Sequence, residues 1–498
     1  MLGTMITLLL IISVIIPILA FFFEIYPRLI NKKIGVDIWT HLLYLKEYKK
    51  QKGIPNNISD GFIIPGGYDY PPMFITLLSK FSIRIVEKYE YLFSPFFDFI
   101  HLIAIFFITY VITGDIAMSL LTQALYTLTP IIILENSSAT PRSLGYLLFT
   151  LLFFSIFNYT NSGYELFLLL AILFGSLILL THRFTTQGFL IYSIVFSLVE
   201  LNPVYIEIFL GSFLGAIIFS KGFYLKVLAG HIGNLKFWYK NIEFRFFHQI
   251  KGDYKSHKSS DFVFKIYNQF INIPPVVLAV TNPWILFVFL SMLFYFPSDP
   301  ILQRLLLWIM ISYVLALVTI WVKKLRFLGE GQRYLELSAF PSAFLAARFI
   351  LEYRVDNLTL SIYGLATIVG ISSLVTIIVI QRKAIIKDRL RTLIPELENM
   401  YLYIKKMKKR PRILCIPHQI TTNTIFHTGA DVFVNANYRD IEKISEAYPF
   451  FRVPINSFMK KHKLDLILLN EEYAKISDLK IRGYKVLKRF GNIVLLSI

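Results

Sequence analysis

Long apolar runs separated by short polar stretches dominate the first 381 residues. Runs of about 16–22 apolar residues are long enough to cross a bilayer as helices. About eleven are legible, at 4–23, 93–112, 116–134, 143–158, 164–180, 185–200, 203–219, 274–296, 301–322, 335–350 and 359–380. The pattern predicts a polytopic α-helical membrane protein, with residues 1–381 as its transmembrane domain. The first run has no basic stretch ahead of it and ends at FFFEIYPR without a small-residue cleavage site, so it is expected to stay as a span.

After residue 381 the pattern changes. Residues 382–410, within RKAIIKDRLRTLIPELENMYLYIKKMKKRPR, read as a basic helical connector, lying against lipid headgroups or in water. Beyond it RILCIP, LDLILLN and NIVLLSI read as short strands, with EKISEAYPF and NSFMKKH as helices between them. Residues 411–498 are therefore expected to form a small α/β domain, a structural or acceptor-guiding appendage. It contains neither GxGxxG nor a Walker loop, so its sequence does not point to a nucleotide.

The connection between the first two spans, residues 24–92, is far longer than the ordinary link between packed elements. Inside it, GVDIWTHLLYLKEYKKQ has the pattern of an amphipathic helix, and Asp37 and His41, four apart, share one face. PPMFITLLSKFSIRIVEKYEY is interrupted by Lys80, Arg84, Glu87 and Lys88 and reads as an interfacial helix on the membrane. Its prolines fit a first helical turn, where a missing N–H is harmless. These two juxtamembrane helices would bring Asp37, His41 and Asp69 to the water–lipid boundary.

Composition narrows the class. Of the 498 residues, 55% are hydrophobic and only 17% charged, against about 25% charged in soluble domains. The formal charge of +19 favours contact with anionic membrane lipids. No nucleic-acid motif accompanies it, so nucleic acid is not expected as a partner. The single cysteine, Cys415, excludes intrachain disulfides and thiolate metal clusters.

Two elements carry a resemblance. An Asp just past the first span, followed by an acid–x–Pro–Pro–apolar element, resembles the GT-C membrane glycosyltransferases, of the aminoarabinose transferase and protein O-mannosyltransferase types. Tyr68-Asp69-Tyr70-Pro71-Pro72-Met73 stands where the aminoarabinose type reads roughly Tyr-Phe-Glu-Lys-Pro-Pro-Leu. GQRYLELSAFPSAFLAA, residues 331–347, is similar to the Arg-Tyr-Leu-Leu-Pro…Pro-Ala-Leu-Ala segment opening a late helix of that superfamily. The chain departs from the pattern at Tyr70, which replaces a lysine. It departs again in ILENSSATPRSLGYLL, where Glu135 precedes Arg142 although the family often has the acid after the Arg. The resemblance implies a GT-C-like fold and sugar donors linked to polyprenyl (dolichyl) phosphate or pyrophosphate. It also implies work on the outer face of the membrane, transferring a hexose or pentose to a glycan, lipid or protein acceptor.

That chemistry assigns roles. A lipid phosphate leaving group needs positive charge, and the Arg fork suits phosphate oxygens; Arg333, Arg142 and Arg183 are the candidates. The acceptor hydroxyl needs a base, and a carboxylate partly withdrawn from water is a stronger one; Asp37 is the choice. Asp69 would hold the acceptor, or join Asp37 and His41 around a divalent cation, Mg or Mn. Tyr68, Glu135 and His182 are further acceptor or metal contacts. Plainer readings stand beside these: Asp37 as a helix cap, Asp69 as a turn residue, His41 as an interfacial side chain, and the arginines snorkelling to headgroups. Asp98, His101, Glu200 and Glu207 lie in or beside apolar spans, where ionisable groups are usually functional or paired.

Counting eleven spans with the first running outward puts Asp37, Asp69, Glu135–Arg142, His182–Arg183, Arg333 and the C-terminal domain on one external side of the cell membrane. The basic stretches 221–273 and 382–412 pull against that orientation. The alternatives to an enzyme are a multi-pass transporter or lipid flippase, and a non-catalytic membrane scaffold. The polar groups gather in loops rather than at midplane helix breaks, which favours the enzyme.

Overall fold

The computed structural model describes residues 2–245, 247–252, 280–294, 296–352 and 358–498. The first part of the expected span 274–296 lies outside the described residues. The chain divides into two compact units, Met1–Ile30 with Tyr91–Tyr224 and Asp261–Ile386, and Asn31–Glu90 with Leu225–Ser260 and Lys387–Ile498.

The first unit is helical, and the chain is a multi-pass membrane protein. Among the described residues five helices are long and apolar enough to cross a bilayer: Leu9–Ile30, Ile83–Thr113, Arg142–Ser162, Pro300–Trp321 and Thr359–Ile386. Val204–Phe219 with Tyr224–Lys240 makes a sixth if the two count as one broken span. Others of the expected eleven are shorter apolar helices: Ile116–Thr127, Glu165–Leu179, Arg183–Val199 and Trp284–Phe294. Continuous apolar runs hide these breaks. The run 116–134 holds two helices, the second restarting at Pro130, which suits a first helical position. The run 335–350 is likewise interrupted, with Gln332–Leu337 ending before Ala339–Glu352 begins.

Aromatic side chains fill the centre of this unit. Phe153 packs on Trp308 with ring centroids 5.0 Å apart, and on Tyr192 and Phe196. Trp308 Nε1 donates to the Leu337 carbonyl at 2.9 Å, so its one polar atom is satisfied. Small residues bring Glu165–Leu179 against Val204–Phe219: a Cβ at Gly175 would run into Ser212 Oγ, and one at Gly215 into Ser176 Oγ.

Three of the acids in or beside apolar spans, Glu24, Asp98 and Glu200, have hydrogen-bond partners. Tyr126 donates to Asp98 at 2.9 Å and sits 3.0 Å from His101 Nδ1, and His101 Nε2 meets Thr150 Oγ1 at 2.8 Å. Asn136 donates to Glu24 at 3.0 Å. Glu200 takes both prongs of the Arg304 guanidinium, at 2.9 and 3.0 Å. Glu207 is exposed.

The second unit is built on a six-stranded sheet: β1 (Phe62–Ile64), β2 (Arg412–Ile416), β3 (Asp431–Asn435), β4 (Leu466–Asn470), β5 (Lys485–Phe490) and β6 (Ile493–Ser497), in the order β1-β3-β2-β4-β6-β5. The first four are mutually parallel where they pair, and β6 runs antiparallel to β4 and β5. Parallel strands are buried on both faces, which is why β2 and β4 read as continuous apolar runs. The core under one face includes Leu414, Phe433, Phe458, Ile467 and Leu496.

Five expectations are corrected here. The C-terminal domain does not stand as residues 411–498 alone. Strand β1, from the first loop, pairs with β3, and the helix Asp37–Gln51 packs on Thr421–Thr428. The apolar face of Asp37–Gln51 is accordingly buried in protein rather than presented to lipid: Leu42 and Leu45 are 0% exposed, each contributing about 2 kcal/mol. The second loop helix is two pieces, Met73–Leu78 and Ile83–Tyr89, the latter capped by Ser82, whose Oγ accepts the Ile85 N–H at 3.2 Å. The connector is not one helix. A π-turn spans Arg382–Ile386, and an α-helix forms only over Pro395–Lys405, where proline sets the first turn. EKISEAYPF forms only a 3₁₀ turn, Ile441–Ile444, because the residue before Pro449 is driven away from helical backbone. NSFMKKH is helical, within Ile455–Lys461.

Candidate functional site

In the sheet-containing unit, Asp37 is the first residue of Asp37–Gln51 and is exposed. It does not cap that helix: the cap position is Val36, with no side-chain bond. Asp37 forms no hydrogen bond or ion pair among the described residues, although its charge acts on His41 and on Tyr448. His41 is buried beside Tyr70 and Phe74, with ring centroids 6.2 and 5.3 Å away. Burial pushes its ring below the ordinary histidine value, and Asp37 pulls it partly back.

Asp69 is in a different state. Its side chain is 6% exposed. Its oxygens accept the Tyr438 N–H at 3.1 and 2.9 Å, and Oδ2 also accepts the Arg439 N–H at 2.7 Å. An acid–x–Pro–Pro element at this place thus clamps the turn that follows β3. Tyr68 is buried, its hydroxyl donating to the Pro71 carbonyl at 3.3 Å and its ring on Tyr44 at 5.0 Å. It braces the same turn from inside.

These facts bear on the expected cation. Among the described residues no three His, Cys, Asp or Glu side chains gather as a metal site. Asp37, His41 and Asp69 do not form one: His41 lies against aromatic rings, and Asp69 takes two backbone N–H groups. Those three residues therefore do not fit the divalent cation expected at them.

In the helical unit the candidate arginines come to one end of the bundle. Arg142 and Arg183 are the first residues of Arg142–Ser162 and Arg183–Val199. The two helix starts touch at Gly145, where a Cβ would stand 3.0 Å from the Thr185 side chain and 3.5 Å from the His182 Cβ. A larger residue there would have to push the Thr185 side chain aside. The turn carrying Arg333 is tied to the same place by Gln187, whose amide donates to the Leu328 carbonyl and to the Tyr334 hydroxyl, both at 2.7 Å. Phe184 and Tyr334 pack with centroids 4.8 Å apart. Arg142, His182 and Arg183 are buried, at 9%, 7% and 7% exposure.

Two of the arginines hold acids. Arg142 is paired with Glu135. Arg333 Nε donates to Glu330 Oε2 at 2.9 Å, in a pair about one-quarter exposed on both sides. Glu135 therefore acts as a neighbour of Arg142 rather than as part of a metal cluster. Sequence reasoning missed Glu330 and Glu336. Glu336 lies inside the quoted RYLELS stretch, and a carboxylate one turn beyond an arginine in an otherwise apolar run was the available signal.

No protein-family model and no curated protein matches the chain. Solved structures do. The oligosaccharyltransferase of Archaeoglobus fulgidus in its apo form is similar over 93% of this chain and 70% of its own, with a TM-score of 0.58 at 9% identity. The same enzyme, AglB, in complex with an inhibitory peptide and a dolichol-phosphate, is similar over 92% of this chain and 69% of its own, with a TM-score of 0.51 at 11% identity. ArnT from Cupriavidus metallidurans bound to undecaprenyl phosphate aligns over 98% of this chain and 97% of its own, with a TM-score of 0.43 at 9% identity. The likeness to the oligosaccharyltransferase is one of fold.

Proposed function

We propose that this protein is a membrane glycosyltransferase that moves a sugar from a polyprenyl-phosphate donor to an acceptor hydroxyl. Asp37 serves as general base, and Arg142, Arg183 and Arg333 receive the donor phosphate. The observation that carries the reading is the fold likeness to the oligosaccharyltransferase over 93% of the chain, one of whose structures holds a dolichol-phosphate. The gathering of arginines at one end of the helical unit supports it.

The chemistry follows from charge. The acceptor O–H gives its proton to Asp37 while its oxygen bonds to the anomeric carbon. The bond from that carbon to the phosphate oxygen breaks, and its electron pair leaves on the lipid phosphate. Developing charge on that phosphate is what the arginine forks stabilise. A base must be unencumbered to take a proton, and Asp37 has no hydrogen-bond or ion-pair partner among the described residues. Asp69 is assigned a positioning role, since its carboxylate already accepts two backbone N–H groups. Because Asp37, His41 and Asp69 do not fit a cation, the account runs on the chain's own residues. The net charge of +19 suits the anionic lipid surface that a polyprenyl donor occupies. The outer face is the side assigned to the reaction, and the acceptor is a glycan, lipid or protein hydroxyl.

The test incubates the purified full chain in nanodiscs with labelled polyprenyl-phosphate sugars and an acceptor extract. Sugar moving from lipid to an acceptor supports the reading. A folded protein that leaves every donor in the panel intact and binds none of them overturns it.

A further inference from the structure

Glu336 lies in the helix Gln332–Leu337, three residues after Arg333, and its side chain is 2% exposed. Neither of its carboxyl oxygens meets a hydrogen-bond donor among the described residues. An acid buried in that state is costly and calls for a partner. Its surroundings say what kind. The helix Gln332–Leu337 packs against the helix Arg142–Ser162, and the Arg142 charge acts on Glu336.

On the Arg142 helix two further polar atoms are unmet. The hydroxyls of Ser143 and Tyr146 are buried, at 0% and 2% residue exposure, with no partner among the described residues. Tyr146, four residues after Arg142, shares its helix face. Near Arg142 there are thus two unmet carboxyl oxygens and, on its own helix, hydroxyls that both donate and accept. A phosphate alone would leave the Glu336 oxygens without donors. A simple cation would leave the Ser143 and Tyr146 donors unused. A ring bearing several hydroxyls satisfies both sets, giving its O–H groups to the carboxylate and accepting from the phenol.

We infer that Glu336, together with Tyr146, binds hydroxyl groups of the donor's sugar ring next to the phosphate held by Arg142. This rests on the donor reading above and adds to it the residues that read the sugar rather than the lipid. Glu336 is then a specificity-determining residue: it distinguishes a sugar-bearing polyprenyl phosphate from the bare one.

The experiment measures binding of dolichyl phosphate, dolichyl-phosphate mannose and dolichyl-phosphate glucose to the full chain and its variants in nanodiscs. Glu336→Gln keeps the shape but replaces one carboxyl oxygen with a donating amide. It should weaken the preferred sugar lipid about tenfold or more while holding dolichyl phosphate within about twofold. Tyr146→Phe should show the same pattern at roughly threefold, and it stands as the second variant should Glu336→Gln not fold. Equal weakening of bare and sugar-bearing lipid, or no change in either, overturns the inference. So does a wild-type protein that binds dolichyl phosphate but neither sugar lipid more tightly. A wild-type protein that binds no polyprenyl phosphate at all fails the donor reading first, and is distinguished by that result.

Discussion

Asp69 Oδ2 accepts the backbone N–H of Arg439 at 2.7 Å, from a residue 370 positions later in the chain. With the Tyr438 N–H on the same carboxylate, this fastens the first loop to the turn after β3. Charged acceptors of backbone N–H groups are worth about 1.5–3 kcal/mol each, and their loss strands buried donors. Asp69→Ala should therefore lower the stability of the sheet-containing unit by roughly 2–4 kcal/mol, with Asp69→Asn in between because one acceptor oxygen remains. Limited proteolysis of the full chain, read at sites in 411–498, and thermal unfolding check this. An Asp69→Ala protein as stable as wild type but dead in transfer would return Asp69 to the reacting groups.

Arg142 and Arg333 are paired with Glu135 and Glu330, so a phosphate must compete with a carboxylate already in place. Arg333→Lys keeps the charge and loses the fork. It should raise the donor KM by about tenfold, with a smaller effect on kcat. Glu330→Gln should lower the donor KM by removing the competitor. Initial rates over a donor titration decide it, and unchanged donor KM in both variants would remove Arg333 from the phosphate site.

Buried histidines set a pH dependence in the sheet-containing unit. Burial pushes His418 and His427 down to about 4 from an ordinary 6.5. The unfolded chain therefore binds more protons than the folded one between these values. Stability from this source is full above pH 6.5, falls as pH drops through the window, and levels off below about 4. Each contributes on the order of 2 kcal/mol, somewhat less for His427, which keeps part of its ring in solvent. Unfolding temperature should fall between pH 6.5 and 5, and the His418→Gln, His427→Gln double variant should flatten that slope. A double variant with the wild-type slope would assign the dependence elsewhere.

The sequence analysis went furthest where the signal was local. Helix Asp37–Gln51 and strands β2, β4 and β6 follow from period and runs of apolar residues. The resemblance to the GT-C type rested on two short elements at span ends. Strand β1 was not legible, because three residues between Gly61 and Pro65 make no pattern and their partner β3 lies about 370 residues away. The fate of Asp69 was hidden for the same reason: its donors are backbone groups of Tyr438 and Arg439, which leave no trace in residue type. Span ends in 116–134 and 335–350 were blurred because apolar side chains continue across the breaks. Glu336 shows the opposite failing, since a single acid in an apolar run was visible but its unmet oxygens required the fold.

The central claim is that Asp37 takes the acceptor proton in transfer from a lipid-phosphate sugar. Asp37 is exposed and has no hydrogen-bond or ion-pair partner among the described residues, so Asp37→Asn should leave the unfolding temperature unchanged. Transfer by purified wild type and Asp37→Asn is compared in nanodiscs at saturating donor and acceptor, with donor binding measured in parallel. The account predicts a loss of about 10²–10⁴ in kcat with donor affinity intact. Wild-type turnover by Asp37→Asn would contradict it.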